Sequence, residues 1–565
     1  MSRLALSLDR LKNRYDVVVI GSGYGGGVTA ARLARAGKHV CVLERGREFL
    51  TGEFPSRFPD MRTEMQVTGK RLRTGRSTAL YDVRLGEDMH ILVGCGLGGG
   101  SLINAGVSLR PDPRVFADEV WPGQLRQDGL LEEGYARARR WLRPMTGPRA
   151  DTMTKFKALA ETSGPIGIPP VKAPVAVSFE DSVNAAGIIQ PACTNCGDCV
   201  GGCNVGAKNT VALTYLPEAK RHGAEIFTHA KVLYVEKLGD GTWSVTVERL
   251  DEEKSAKPVH FKIEAAMVVM AAGTLGSTEI LLRSRARGLP LSDRLGQRFS
   301  ANGDIIAFGY GAKLRVSSIG IGHPKKIDGF DVGAAVSGQI EIVDTDDLSH
   351  SMIIQEGAMP SALAPLLPVM FVPNGRILGA LQSLVSGVYK GPFQSLQTFF
   401  AVSHDSASGR FALDDDRLVL SWPNAKDEPV YARLDAALEK IVGAAGGKYV
   451  KNPLAGTVMG QQPATAHPLG GSGMGAERAD GVVDHMGRVF DGRAGRDSTA
   501  VHEGLFVIDG SIIPRSLGCN PLLTITALAE RAMLHVGRER GLDMGDVAVT
   551  HHRTVAATAP GDVMA

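Results

Sequence analysis

Three things are scarce in this 565-residue chain: net charge, long apolar runs, and cysteines outside one short segment. The formal charge of +3 is close to neutral for the length, so no nucleic-acid partner is expected. No run of about 18 uninterrupted apolar residues occurs, which argues against a membrane-spanning helix. Residues Met1 to Arg14 are short and amphipathic. They carry neither the apolar core of a secretory signal nor a twin-arginine pair, so a cytoplasmic location is expected. There is no internal repeat. Of seven cysteines, Cys41, Cys95 and Cys519 are scattered, whereas Cys193, Cys196, Cys199 and Cys203 fall within eleven residues. A disulfide framework is not spread in that way, and in a cytosolic chain such clustering favours metal.

What is present is an ordinary globular balance, 44% hydrophobic and 22% charged, with length enough for two large domains or more. The 69 glycines sit largely in short clusters, which suits backbone close to a ligand better than low complexity. Tyr15 to Ile20 reads as a buried parallel strand. A glycine turn follows, then a helix over about 27–36 ended by Gly37, then a strand from Val40 to Leu43, giving a βαβ unit. Val268 to Ala272 reads as another buried strand that runs into Gly273 and a helix over 277–283. Leu505 to Ile508 reads as the last strand. The last helix is expected from Pro521 to about Val536, stopped by Gly537. The tail 547–565 has the composition of a disordered segment.

The turn Gly21-Ser22-Gly23-Tyr24-Gly25-Gly26 is a G-x-G-x-x-G between strand and helix. Gly21 permits the tight turn, Gly23 lets backbone approach a pyrophosphate, and Gly26 lets helix and strand pack closely. The helix N-terminus turns its positive end to the phosphates. Glu44, eighteen residues beyond Gly26 at the end of the second strand, is placed to accept from ribose hydroxyls. The motif alone does not separate FAD from NAD.

Further segments do. The run Gly94-Cys95-Gly96-Leu97-Gly98-Gly99-Gly100-Ser101-Leu102-Ile103-Asn104, the stretch Val268 to Arg283, His467-Pro468-Leu469-Gly470-Gly471 and the stretch Val507 to Arg531 keep one order along the chain. With the first turn, they resemble the glucose–methanol–choline oxidoreductase family, in its cholesterol-oxidase-like branch. The resemblance implies FAD and an α/β fold. It pairs a discontinuous Rossmann-like FAD domain (1–110, 206–298 and 455–545) with an α+β substrate domain built on a mostly antiparallel sheet (111–187 and 299–454). A Cys-rich segment, 188–205, lies between them. It also implies that Gly94, Gly99, Ser101 and Asn104 lie along the flavin. Ala272 and Gly273 belong to the cofactor site by the same resemblance, and Asp509 and Gly510 lie near the ribityl chain.

For the reacting centre, Asn520-Pro521 is a strong helix start, with Asn suited to the cap and Pro to the first helical position. The family's architecture puts this helix end at the flavin pyrimidine ring, where its dipole would meet the negative charge that hydride acceptance creates. His467, held extended by Pro468, matches the family's catalytic histidine and suits proton transfer at neutral pH. Glu356 has a context similar to a Glu that enters the active site in the cholesterol-oxidase-like branch. A carboxylate desolvated there would serve as a base. Whether His467 or Glu356 takes the hydroxyl proton stays open.

The spacing Cys193-x2-Cys196-x2-Cys199-x3-Cys203 is that of a bacterial ferredoxin half-site, with Asn204 where proline usually follows. A 4Fe-4S cluster, a structural zinc and four reduced thiols are all open readings. A cluster near flavin would give electrons a one-at-a-time exit to a carrier protein or quinone, making the enzyme a dehydrogenase. With zinc or no metal, an oxygen-using alcohol oxidase is the alternative, and a redox-neutral flavin lyase or isomerase is a third. The apolar stretch from Met359 to Pro392 is either core of the second domain or a lid for a lipid-soluble alcohol in peripheral contact with a membrane. A sterol or other hydrophobic alcohol suits it best.

Overall fold

The computed structural model describes residues 2–70, 72–250, 258–371, 388–389, 391–451 and 462–545. The expectation for 547–565 and most of the apolar stretch beyond Phe371 therefore lie outside the described residues.

The strand Arg14–Ile20 is buried along Val17 to Ile20 and pairs in parallel with Val40–Leu43 on one side and with Val259–Met270 on the other. The helix Tyr24–Arg35 joins the first two strands, and Gly37, at φ 79°, turns the chain back. These strands belong to an eight-stranded sheet assembled from four separate stretches of sequence, 14–43, 225–249, 259–270 and 488–507. Its centre is the twelve-residue strand Val259–Met270. The first half of that strand pairs antiparallel with Trp243–Arg249, and Val268 to Met270 pair in parallel with Leu505 to Val507. The expected strand from Val268 is thus only the buried end of a longer one. Its first half alternates buried and exposed residues and belongs to the antiparallel wing.

A second sheet has six strands, Val171–Lys172, Ile305–Tyr310, Gly338–Ile342, Met352–Glu356, Gln397–Val402 and Lys448–Val450, with every pairing antiparallel. The fold class is the expected one: α/β, with a parallel-centred dinucleotide sheet and a separate antiparallel sheet. The helix Pro429–Ala444 packs on the second sheet.

The C-terminal helix runs Leu522–Arg540, four residues past the expected last residue, Val536. Gly537 does not end it. A Cβ there would meet Met544 Cγ at 2.6 Å, so this glycine admits the returning chain, and Gly541, at φ 61°, is the stop. Within the apolar stretch, Leu367, Phe371, Phe393 and Leu396 are buried against Phe308 as core. Among the described residues, no helix is long and apolar enough to cross a membrane.

Candidate active site

A cavity of about 1280 Å³ runs between the two sheets. It is lined at one end by Gly21, Ser22 and Gly23 and at the other by His467, Asn520 and Gln355. His467 follows the short strand Ala464–Thr465, Asn520 precedes the helix Leu522–Arg540, and Gln355 lies within the strand Met352–Glu356.

The glycine turn divides its labour as the sequence suggests. Gly21 has φ +97°, which L side chains avoid. A Cβ on Gly26 would sit 2.1 Å from Gly21 O, so the helix can lie on the strand only as glycine. A Cβ on Gly23 would meet nothing within 4 Å, because this position faces the cavity. Gly25 carries an unanticipated constraint: its Cβ would fall 1.7 Å from Ile508 O. The helix start is therefore wedged against the last strand as well as the first. Gly99 reaches this turn from the second glycine cluster, and its Cβ would be 3.0 Å from Gly23 Cα. Gly94, Gly99, Asn104, Ala272, Gly273, Asp509 and Gly510 all line the cavity.

Glu44 is buried, and burial pushes its carboxyl up from the ordinary value. Its oxygens accept from Ser22 Oγ at 2.5 Å and from Gly46 N at 2.8 Å. Asp509 is pushed up by burial too, and its carboxylate is spent on Gly273 N, Ser277 Oγ, Ser511 N and Ser511 Oγ. It ties the loop before the helix Gly273–Ala286 to the last strand. Asn104 donates to Tyr24 Oη at 2.7 Å. Ser101 is a correction: it is buried outside the cavity lining, donates to Gly98 O and accepts from Val211 N, so it closes its own turn. The residues present suit a dinucleotide: an open-faced turn, a helix N-terminus and a buried carboxylate beyond the second strand.

At the far end, His467 Nε2 and Asn520 Nδ2 are 3.5 Å apart. Asn520 does not cap its helix. Its Oδ1 accepts from Gln355 Nε2 at 2.7 Å, and the helix N-cap position is Pro521, with no side-chain cap. Gln355 was not anticipated, and strand parity is the signal that finds it. Successive residues of Met352–Glu356 face opposite ways. Gln355 therefore faces the cavity and Glu356 faces away. Glu356 is a second correction: it is 3% exposed, outside the cavity lining, and paired with Lys155 Nζ at 2.5 Å. It also accepts from Ser337 N and Gly338 N at 2.8 and 2.7 Å. Burial raises its carboxyl and lowers the Lys155 ammonium, and among the described residues no hydrogen bond or ion pair joins either side chain to His467. The carboxylate within ion-pair distance of His467 is Asp304, 3.2 Å from Nδ1.

The cysteine loop borders the cavity, which Val200 lines, while Cys193, Cys196, Cys199 and Cys203 do not line it. Cys199 is buried and its sulfur accepts from Ala335 N, while Cys193 Sγ accepts from Asn195 N, each at 3.4 Å. Asp198 pins the loop through Gly322 N and Ser361 N. A thiolate-bound zinc has Zn–S distances of about 2.3 Å, so its sulfurs lie within about 4 Å of one another. Among the described residues, the one group of three or more potential ligand atoms within 4.8 Å of one another is Asp128, His485 and His535. The four sulfurs are thus not gathered at zinc spacing. In the Asp128 group the Arg531 guanidinium already donates to Asp128 and to His485 Nδ1.

Residues 15–301 and 415–529 match the N- and C-terminal models described as GMC oxidoreductase, the glucose–methanol–choline type. The chain is 30% identical to a cholesterol oxidase of Mycobacterium tuberculosis, across 92% of this chain and 91% of that protein. It is 25% identical to long-chain-alcohol oxidase FAO4B of Arabidopsis thaliana, across 91% of this chain and 66% of that one. Among solved structures, pyridoxine 4-oxidase from Mesorbium loti superposes with a TM-score of 0.60 at 17% identity, covering 93% of this chain and 99% of that one.

Proposed function

The chain belongs to the GMC oxidoreductase family, and from that premise we propose that it is an FAD-dependent enzyme that oxidises a hydrophobic alcohol to the carbonyl. The observation that carries this reading is the meeting, in one cavity, of an open-faced glycine turn with the His467–Asn520–Gln355 cluster. Bound FAD supplies a hydride acceptor at its N5. The side chains do the rest. His467 Nε2 takes the substrate hydroxyl proton, and Asn520 Nδ2, its amide fixed by Gln355, donates to the substrate oxygen. The N-terminus of the helix Leu522–Arg540 lines the cavity through Pro521 and Leu522, and its positive end stabilises negative charge developing beside it.

The lining residues Ile306, Phe308, Met359, Leu363 and Phe400 make the substrate end apolar. Leu72 and Val419 line the same cavity and are exposed at 44% and 39%. That suits entry of a sterol or long-chain alcohol from a lipid phase, in keeping with the relatives named cholesterol oxidase and long-chain-alcohol oxidase.

Separate observations favour two electron acceptors. The names of the relatives favour oxygen. The cysteine loop favours a carrier protein or quinone. Lys208 is 1% exposed and donates to Leu102 O, Asn104 O and Cys199 O, and no carboxylate pairs with it among the described residues. Burial lowers the Lys208 ammonium to about 8, and an anion beside it would hold its charge. Cys193, Cys196, Cys199 and Cys203 holding an iron–sulfur cluster as thiolates would provide one, and the cluster would supply one-electron transfer. The test of the main reading is anaerobic addition of a sterol and of a long-chain alcohol while flavin absorbance is followed. Bleaching supports it. A flavin that stays oxidised with every alcohol sinks it in favour of redox-neutral chemistry. Oxygen and an artificial one-electron acceptor are then compared as reoxidants.

A further inference from the structure

We propose that Asp304 is a positioning residue for His467, its carboxylate holding the imidazole with Nδ1 protonated so that the Nε2 lone pair faces Asn520 and the substrate hydroxyl. This rests on the functional reading above and deepens it.

Asp304 sits just before the strand Ile305–Tyr310, lines the cavity and is 2% exposed. Its Oδ2 lies 3.2 Å from His467 Nδ1. The same oxygen accepts from Ala466 N at 2.7 Å, and Thr465 Oγ1 lies 3.2 Å away. Thr465 Oγ1 in turn accepts from His467 N at 2.9 Å. The Thr465–Ala466–His467 backbone is thus wrapped around one buried carboxylate, which fixes where the ring is attached. Nδ1 is itself buried and makes no linear hydrogen bond. The carboxylate is near but off the N–H direction, as proton-transfer groups often are before substrate binds.

The chemistry asks for such a partner. A neutral imidazole carries one N–H, and the nitrogen that lacks it is the base. An anion beside Nδ1 keeps the proton there and leaves Nε2 to accept. It also stabilises the imidazolium formed when the hydroxyl proton arrives, as a buried Asp does for the histidine of a serine-protease triad. The step balances: the O–H bond breaks with its proton passing to Nε2, the C–H bond breaks with its electron pair passing to FAD as hydride, and the C=O bond forms. If Asp304 served only to hold the Thr465 turn, an amide oxygen accepting from Ala466 N would do as well, so the charge separates the two roles.

The experiment compares Asp304→Asn, Asp304→Ala and wild type in two measurements. Anaerobic stopped-flow gives the flavin reduction rate and the apparent substrate Kd, in water and in heavy water. Asp304→Asn is expected to slow reduction by about tenfold or more, with Kd and flavin content unchanged and a larger solvent isotope effect, because proton transfer has become limiting. Nitrogen NMR of histidine-labelled protein, with the His467 signals assigned by difference from His467→Gln, reads the tautomer without turnover. Wild type is expected to be Nδ1-protonated, and Asp304→Ala to lose that preference. A wild-type reduction rate in Asp304→Asn, or a tautomer indifferent to Asp304→Ala, overturns the assignment. A wild-type flavin that no alcohol bleaches, with the tautomer still locked by Asp304, overturns the functional reading while supporting the positioning.

Discussion

Gly23 and Gly26 stand three residues apart in one turn, yet the structure gives them opposite consequences on substitution. At Gly26 an added methyl would lie 2.1 Å from Gly21 O. Ordinary C···O contact is about 3.3 Å, so strand and helix must part by about 1 Å. Overpacking against rigid backbone costs about 3 kcal/mol or more, and the cost falls on the fold itself. At Gly23 the methyl meets no protein atom within 4 Å, and the backbone, at φ −70° and ψ −162°, is one that alanine adopts. The apoprotein should change by about 1 kcal/mol or less. On the proposed reading, the methyl occupies the approach to the pyrophosphate. Losing two charge-assisted contacts there, at about 1.5–3 kcal/mol each, weakens FAD binding by about a hundredfold or more. The assay is thermal unfolding of the apoprotein beside fluorescence titration with FAD, for Gly23→Ala, Gly23→Val and Gly26→Ala. The expected pattern is a normal unfolding midpoint with lost FAD affinity for both Gly23 variants, and a lowered midpoint for Gly26→Ala. A Gly23→Val protein that binds FAD like wild type would refute the placement of the phosphates.

His467→Ala and Asn520→Ala should keep their flavin but slow its reduction by substrate about a hundredfold or more, read by stopped-flow absorbance. Glu356→Gln should act on stability and not on chemistry. It leaves Lys155 buried without its anion, a loss of about 3–5 kcal/mol seen in denaturant unfolding, and a slow but normally stable variant would return Glu356 to the active site. Gln355→Ala should slow reduction about tenfold by releasing the Asn520 amide, with Gln355→Glu failing to restore it. Protein prepared without oxygen should contain iron and labile sulfide, both lost in Cys199→Ser, and stoichiometric zinc or no metal at all would remove the cluster from the account.

Much of the glycine-turn geometry was legible because its constraints are local. A glycine turn between a buried strand and a helix states its own geometry, and Glu44 follows at a fixed distance along the βαβ unit. The reacting end was half legible. His467 and Asn520 are found through their motifs, and the structure brings them within 3.5 Å. Their partners come from elements far off in sequence, Gln355 from one strand and Asp304 from the start of another. No local pattern shows that Asp304 and His467, 163 positions apart in the sequence, share one buried contact. Glu356 misled for a related reason. A carboxylate beside an apolar stretch reads as an active-site acid until strand parity decides which of two neighbours faces the cavity. Lys155, which neutralises it, lies 201 residues away.

The most direct test of the account is anaerobic stopped-flow reduction of the purified flavoprotein by a sterol and by a long-chain alcohol, with the organic product identified. The oxidised flavin bands should be lost at a rate that rises and saturates with alcohol concentration, with one carbonyl product per flavin reduced. Flavin that stays oxidised with every alcohol, or is reduced without any carbonyl appearing, would contradict it.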